Sequence, residues 1–317
     1  MALRPRTFRS PRSARPATQQ HVEIPEQSLL RIPVEELLSF VTEVFAAHDV
    51  PRARARIAAE AICHGDLTGN PRIGLAGLTR TYLPLLESRQ VRPRAEPLVI
   101  ADRGAAALVD CRRALGLWAV SDAMDSAVLR AGRYGVGLVS LRGVNAFGRA
   151  GHHAGRALPH GMIGLVLATG GERNTVREGV NPLGMAAPGG AYPAFVFDLD
   201  AAGLDGPAPA TAGLMLLVEV FAGLLSGVED HDHDTGLFVM AIAPTALRSA
   251  DGFYRAASAL FGSLLGWDDG APIRYPGWRE AEHLEQCQAL GVPIDVHLYR
   301  ELAALATDLH LPLPQGS

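Results

Sequence analysis

The sequence predicts an α/β (α+β) protein of two packed lobes, a helical lobe made from both chain ends and a middle lobe built on a sheet. Three observations carry this expectation. Apolar residues recur at helical spacing from Val34 to about residue 88, short β-branched runs replace them from about residue 96, and helical spacing returns from about residue 251. With 317 residues and 48% hydrophobic content, the chain can bury one large core or two moderate ones, which places it among globular rather than disordered proteins.

The elements follow in chain order. Residues 1–28 carry five Arg, four Pro and little apolar material, too little to offset the entropy of ordering, so a disordered arm is expected. Val34, Leu37, Leu38, Val41, Val44 and Phe45 line one helical face, with Pro33 suited to a first turn. Further helices at about 51–66 and 75–88 complete an opening lobe over 29–95. Residues 98–100 and 107–109 read as strands about the turn Asp102-Arg-Gly104, and a sheet lobe extends over 96–249. Inside it we expect a helix at 115–133, a strand at 136–141, a helix near 149–158, strands at 162–168 and 194–199, a buried helix at 212–226 and a strand at 237–243. Three closing helices to about 309 are expected to return to the opening ones, so that 250–317 joins the helical lobe.

Composition removes several functions. The net charge of -4 and the scattered basic residues offer no face to nucleic acid. All 29 basic residues are Arg, so no lysine Schiff base or lysine phosphate cradle exists. Cys63, Cys111 and Cys287 lack metal spacing and follow no secretory segment, which predicts reduced thiols in a cytoplasmic protein. The apolar run Ala212 to Leu225 is too short for a bilayer of ~30 Å and contains Glu219, a carboxyl that must find a donor or stay protonated, so no membrane association is expected.

Several groups carry chemistry. Gly143, Gly148, Gly151 and Gly155 follow a strand and open a helix, with Glu172 beyond, but their GxxGxxxG spacing departs from a dinucleotide loop and equally suits close packing. His152 and His153 adjoin on that helix, where a positive dipole end would keep a neutral imidazole available as a base; neighbouring helical residues diverge, so one of them faces a given cleft. Residues 229–234 alternate His and carboxylates, which suits either a divalent metal or the commoner solvated acidic loop; no metal is assigned. Cys63 and His64 diverge as helical neighbours and form no nucleophile and base pair.

Asn145-Ala-Phe-Gly-Arg-Ala-Gly151, Gly179-Val-Asn-Pro182 with Ala187-Pro188, Phe195-Val-Phe-Asp198 and the run Leu217 to Gly227 together resemble the type-2 malate/L-lactate dehydrogenase family. That family also holds ureidoglycolate and sulfolactate dehydrogenases and cyclic-imine reductases. Asp66-Leu-Thr-Gly69, Gly74, Tyr275-Pro-Gly277 and Gly291-Val-Pro-Ile294 extend the resemblance to nearly everything after about residue 30. It implies a non-Rossmann fold with a mixed sheet, NAD(P) binding in the middle lobe and a homodimer. The family's Ser-His-Gly, with Arg four residues after the His, falls on Arg72, Ile73, Gly74 and Gly77; the His of its Asn-His-Phe-Gly falls on Ala146; and its Lys falls near Ala210, after a segment much shortened beyond Asp198.

Reduction of a ketone or imine requires a proton donor beside the carbon that receives hydride, and a cation for the acid's carboxylate. Ile73 supplies neither. The sequence therefore suggests a repurposed enzyme that performs a non-redox cyclisation, isomerisation or elimination on an apolar or cyclic small molecule without a cofactor. Its candidate catalytic groups are His152, His153, Arg72 and Glu178, and its candidate substrate contacts Ile73, Asn145, Ala146, Phe147, Asn181 and Pro182. The alternatives are an NAD(P)H-dependent reductase of an imine, enone or 2-oxo acid, with Gly148, Gly179 and Asn181 at the cofactor, and a catalytically silent partner subunit.

Overall fold

The structure, a computed structural model, describes residues 29–169, 181–199, 209–228, 235–264 and 274–316. The 1–28 arm, Glu172, Glu178, Gly179 and the 229–234 run lie outside these residues. Two helices open the chain, α1 (Val34–Ala47) and α2 (Arg52–Leu67), packed through Leu37, Val41, Val44 and Phe45 on one side and Ala55, Ala58, Ala59 and Ile62 on the other. Pro33 stands just before α1 in extended conformation, one residue earlier than its expected place in the first turn. The expected helix at 75–88 resolves into a π-turn, Leu78–Tyr82, running into the short α3 (Leu83–Glu87).

The middle of the chain forms a seven-stranded mixed sheet in the order β2-β3-β4-β8-β5-β6-β7. Its strands are β2 (Leu98–Asp102), β3 (Ala106–Ala114), β4 (Val136–Val144), β5 (Ile163–Ala168), β6 (Leu183–Ala187), β7 (Phe195–Leu199) and β8 (Thr235–Ile242). Only β3 and β4 pair in parallel; the other neighbours are antiparallel. Alternation separates the two faces. Val139, Leu141, Val166, Leu237, Val239 and Ala241 join the main core beneath α4 (Gly116–Tyr134) and α5 (Ala150–Gly155), while Leu138, Leu165, Leu167, Phe238 and Met240 face α6 (Pro209–Val218) and the π-turn Glu219–Leu224.

The expectation that residues 212–226 form a buried helix is corrected. Met215, Val218, Ala222 and Ser226 are buried, but Leu216, Leu217, Val220, Leu224 and Leu225 are exposed, because one side of a helix on a sheet surface reaches the sheet and the other does not. At the chain ends β1 (Leu29–Ile32) pairs antiparallel with β9 (Val292–Asp295), an unanticipated two-stranded ribbon. The helices α8 (Trp278–Leu290) and α9 (Val296–Asp308) lie with β9 and the opening helices. By contrast α7 (Ala250–Leu264) packs Phe261 on Phe195 and Tyr275, against the β7 edge of the sheet. No helix among the described residues is long and apolar enough to cross a membrane.

α5 rests directly on the sheet. A Cβ at Gly164 of β5 would stand 2.1 Å from the Ala154 carbonyl oxygen, and one at Gly184 of β6 would stand 2.2 Å from the Ala150 carbonyl carbon. Gly164→Ala is expected to lift α5 and destabilise the protein by about 1–3 kcal/mol, the usual cost of overpacking; an unchanged urea midpoint would contradict this contact.

Candidate functional site at the lobe seam

β4 and β5 both run antiparallel to β8, and β5 and β7 both run antiparallel to β6, so the carboxyl ends of β4, β5 and β7 emerge at one edge. Open ends of this kind collect ligands in α/β proteins. The loop Asn145–Arg149 leaves β4 there and enters α5, which meets the carboxyl-terminal half of α2.

His153 points into the core, where Ser121 Oγ donates to its Nδ1 at 2.9 Å and its Nε2–H donates to the Phe147 carbonyl at 2.7 Å. Burial lowers its pKa to about 4. With both nitrogens engaged it pins the loop to α4, which removes it from the candidate bases. His152, half-buried, turns the other way, and its ring lies 4.8 Å from that of His64. Its Nε2 is buried with no partner. Burial first, then Arg149 and His153, lowers His64 to about 3; burial first, then His64, His153 and Arg156, holds His152 well below its ordinary value. Both are therefore neutral imidazoles, each with one N–H to give. The cause is burial, not the helix dipole expected from sequence, because α5 has six residues and both histidines fall in its closing turn.

Arg149 links three elements. Its Nε donates to Asp198 Oδ2 at 2.8 Å on β7 and its Nη1 to Thr68 Oγ1 at 3.3 Å beyond α2, with the two charged side chains 12% and 10% exposed. Asp66 clamps the following loop: its Oδ2 accepts from the Leu75 N–H at 2.6 Å, its Oδ1 has no partner, and burial raises its pKa to about 7.

The structure thus places His152 and Gly148 beside α2, through His64 and Ala61, and Asn145, Ala146 and Phe147 against Gly116 at the start of α4. Ile73, half-buried, sits on the turn Pro71–Ile73 that the Asp66 clamp secures, whereas Arg72 is exposed and its expected catalytic place is not supported by any contact. Asn181 and Pro182 begin β6 at the same sheet edge, but the Asn181 amide donates to Glu219 Oε1 at 2.9 Å and to the Met215 carbonyl at 3.3 Å, which ties it to α6 on the far face and gives Glu219 its donor. Sequence reasoning missed His64, weighed only against its neighbour Cys63; the Arg149–Asp198 pair, which joins distant segments; and Tyr82, buried at the end of its π-turn.

The loop suits a dinucleotide. Gly148 holds φ +80°, a Cβ there would press Leu117 at 3.2 Å, and the Asn145 side-chain nitrogen and His152 Nε2 are buried polar atoms without partners among the described residues, suited to the oxygens of a carboxamide or phosphate. Among the described residues no group of three His, Cys, Asp or Glu is arranged to hold a metal.

A profile of the family described as malate/L-lactate dehydrogenase matches residues 32–202 and 210–303. Malate dehydrogenase of Pyrococcus abyssi is 32% identical over 182 residues, 55% of this chain and 49% of its own length, so the chain spans about half of that relative. L-sulfolactate dehydrogenase of Methanothermobacter thermautotrophicus is 23% identical over 90% of this chain and 98% of its own length. Among solved structures, malate dehydrogenase from Pyrococcus horikoshii superposes with a TM-score of 0.80 at 22% identity over 90% of this chain and 97% of its own, and delta1-piperideine-2-carboxylate reductase from Pseudomonas syringae with 0.73 at 20% over 87% and 99%. At that identity these structures share the fold.

The buried groups set opposed pH dependences. His64 and His153, held below the ordinary 6.5, stabilise the fold above that value, and this contribution is lost as pH falls towards 4 and 3. Asp66, raised from 3.8, stabilises fully below 3.8 and its contribution is lost as pH rises through about 7. Melting temperature is therefore expected to fall more steeply from pH 6.5 to 4 in Asp66→Asn than in the parent, and less steeply in His64→Gln; three parallel profiles would refute the assignment.

Proposed function

Because the chain belongs to the malate/L-lactate dehydrogenase family, we propose that it is an NAD(P)H-dependent oxidoreductase that reduces a small 2-oxo acid, imine or enone. The observation that carries this is the set of neutral donors at the lobe seam, within a chain whose family match runs from residue 32 to 303. The expectation of a cofactor-independent, non-redox reaction drew on hydrocarbon or empty space at Ile73, Gly77 and Ala146. His64, His152, Asn145 and Arg149 supply polarity beside those positions, and the relatives named above are dehydrogenases and a reductase.

Reduced nicotinamide, when bound, supplies the hydride. The Asn145 amide and the backbone at Gly148 are the groups that would hold it, and the apolar side chains of Phe147 and Ala146 would keep water from that loop. Arg149 presents its remaining amino group, Nη2, to an acid group of the substrate; Asp198 and Thr68 fix the guanidinium in advance, so little entropy is lost on binding. His64 and His152, uncharged, orient the substrate by N–H donation without repelling that cation.

Titration with NADH and NADPH followed by protein fluorescence, and loss of absorbance at ~340 nm with a panel of 2-oxo acids and cyclic imino acids, test the assignment. Saturable cofactor binding and turnover of at least one class are expected; no binding of either nucleotide at millimolar concentration would overturn it.

We further propose that two copies associate through α6 and the π-turn after it, where exposed Leu216, Leu217, Val220, Leu224 and Leu225 form an apolar surface that a second copy can cover. Light scattering is expected to give twice the chain mass, and Leu217→Glu with Leu224→Glu to give a monomer. A parent protein that is already monomeric would sink this association.

A further inference from the structure

Tyr82, whose ring is buried, carries a hydroxyl that the donors above leave unused. It closes the π-turn Leu78–Tyr82, whose i to i+5 winding adds a residue to the turn; Thr81 is exposed and Tyr82, at 7% exposure, is buried. Its ring lies over Gly77, where an added Cβ would come within 3.2 Å of the ring. A Cβ at position 77 would therefore press on the ring, which would have to give by a few tenths of an ångström. The hydroxyl then reaches across the seam: from the point where a Gly148 Cβ would stand, Tyr82 Oη is 3.8 Å away and the Ala61 carbonyl 3.7 Å. Tyr82 Oη has no hydrogen-bond partner among the described residues. A phenol hydroxyl has one proton to donate, and here that donor is left open to a ligand.

We propose that Tyr82 is the catalytic residue that donates the proton to the substrate's reducible oxygen or nitrogen, a role that rests on the reductase assignment. The balance is complete. The substrate carbon takes a hydride, one hydrogen with two electrons, from the reduced nicotinamide; its oxygen or imine nitrogen takes a proton from the Tyr82 hydroxyl; the phenolate left behind is reprotonated by water. Of the groups nearest the loop, Ile73 and Ala146 have no proton to give, His153 has both nitrogens engaged, Arg149 is held by Asp198, and His64 and His152, being uncharged, can offer only a weakly acidic N–H, which competes with the Tyr82 hydroxyl. Burial raises the phenol's pKa, so the hydroxyl keeps its proton throughout the neutral range until the substrate takes it.

The test uses the full chain, its Tyr82→Phe and His64→Gln variants, and tyrosine labelled at Cζ with carbon-13, whose Tyr82 resonance is the one absent from Tyr82→Phe. In the parent, addition of glyoxylate, the smallest 2-oxo acid, is expected to shift that resonance. In Tyr82→Phe, kcat/KM for the best substrate of the panel is expected to fall about 10²–10⁴-fold with nucleotide affinity unchanged. A Tyr82→Phe enzyme within threefold of the parent, or a His64→Gln enzyme that alone shows the loss, overturns the role of Tyr82 and leaves the reductase assignment standing. If the parent binds no nucleotide, the reductase assignment fails. The resonance then decides for Tyr82 alone: a shift supports a substrate contact, and an unmoved signal overturns it.

Discussion

The site depends on how closely α5 approaches the sheet. Gly164 and Gly184 let the helix backbone touch β5 and β6 with no side-chain layer between them. At ordinary helix-on-sheet spacing of ~10 Å, one side chain from each surface would intervene, and His153 could not reach Ser121 while its other nitrogen meets the Phe147 carbonyl. Because His153 is held there, the 100° step between helical neighbours sends His152 outward to His64. The same depth brings Arg149 level with Asp198 at the end of β7. A packing constraint written in two absent side chains thus sets the direction of three polar ones.

The electrostatic character of the seam follows from its burial. Three imidazoles crowded beside an arginine cannot all be charged in a medium of low polarity, and all three stay neutral. Arg149 and the Asp198 carboxylate pair at 2.8 Å, nearly buried on both sides. The seam therefore offers directed N–H groups and one oriented cation, an arrangement complementary to an acceptor-rich ligand. A lysine could move to meet such a ligand, but this chain has none; its polarity must be built in before the ligand arrives.

Much of the fold was legible because its signals are periodic. The stripe from Val34 to Phe45 and the alternation through β4, β5 and β8 each repeat enough to be read, and both appear where expected. The elements that escaped are short or sit in misleading company. β1 and β9 have four residues each and β9 contains Pro293, so neither shows a period, and their pairing joins residues some 260 positions apart. β6, Leu-Gly-Met-Ala-Ala, has no β-branched residue and a glycine placed for the helix above it. Residues 212–226 read as buried because apolar content alone cannot say how much of a helix a sheet will cover.

The candidate site was legible only in part, and for a different reason. Asn145, Phe147, Gly148 and His152 are close in sequence, so a motif could find them. His64, Asp66, Thr68, Tyr82 and Asp198 join the same region through packing between distant segments, and nothing in the local sequence of one segment records the other. Position-by-position comparison registers the losses at Ile73, Gly77 and Ala146 and is blind to gains elsewhere, which biases such a reading towards lost chemistry. Groups that act together in a catalytic step are strongly non-additive, so the relevant unit is the cluster rather than the position. Here α2, the π-turn and Arg149 each bring a polar group to the same region. The π-turn adds to this: its wider winding shifts which side chain faces inward, and residue spacing read as an ordinary helix does not show it.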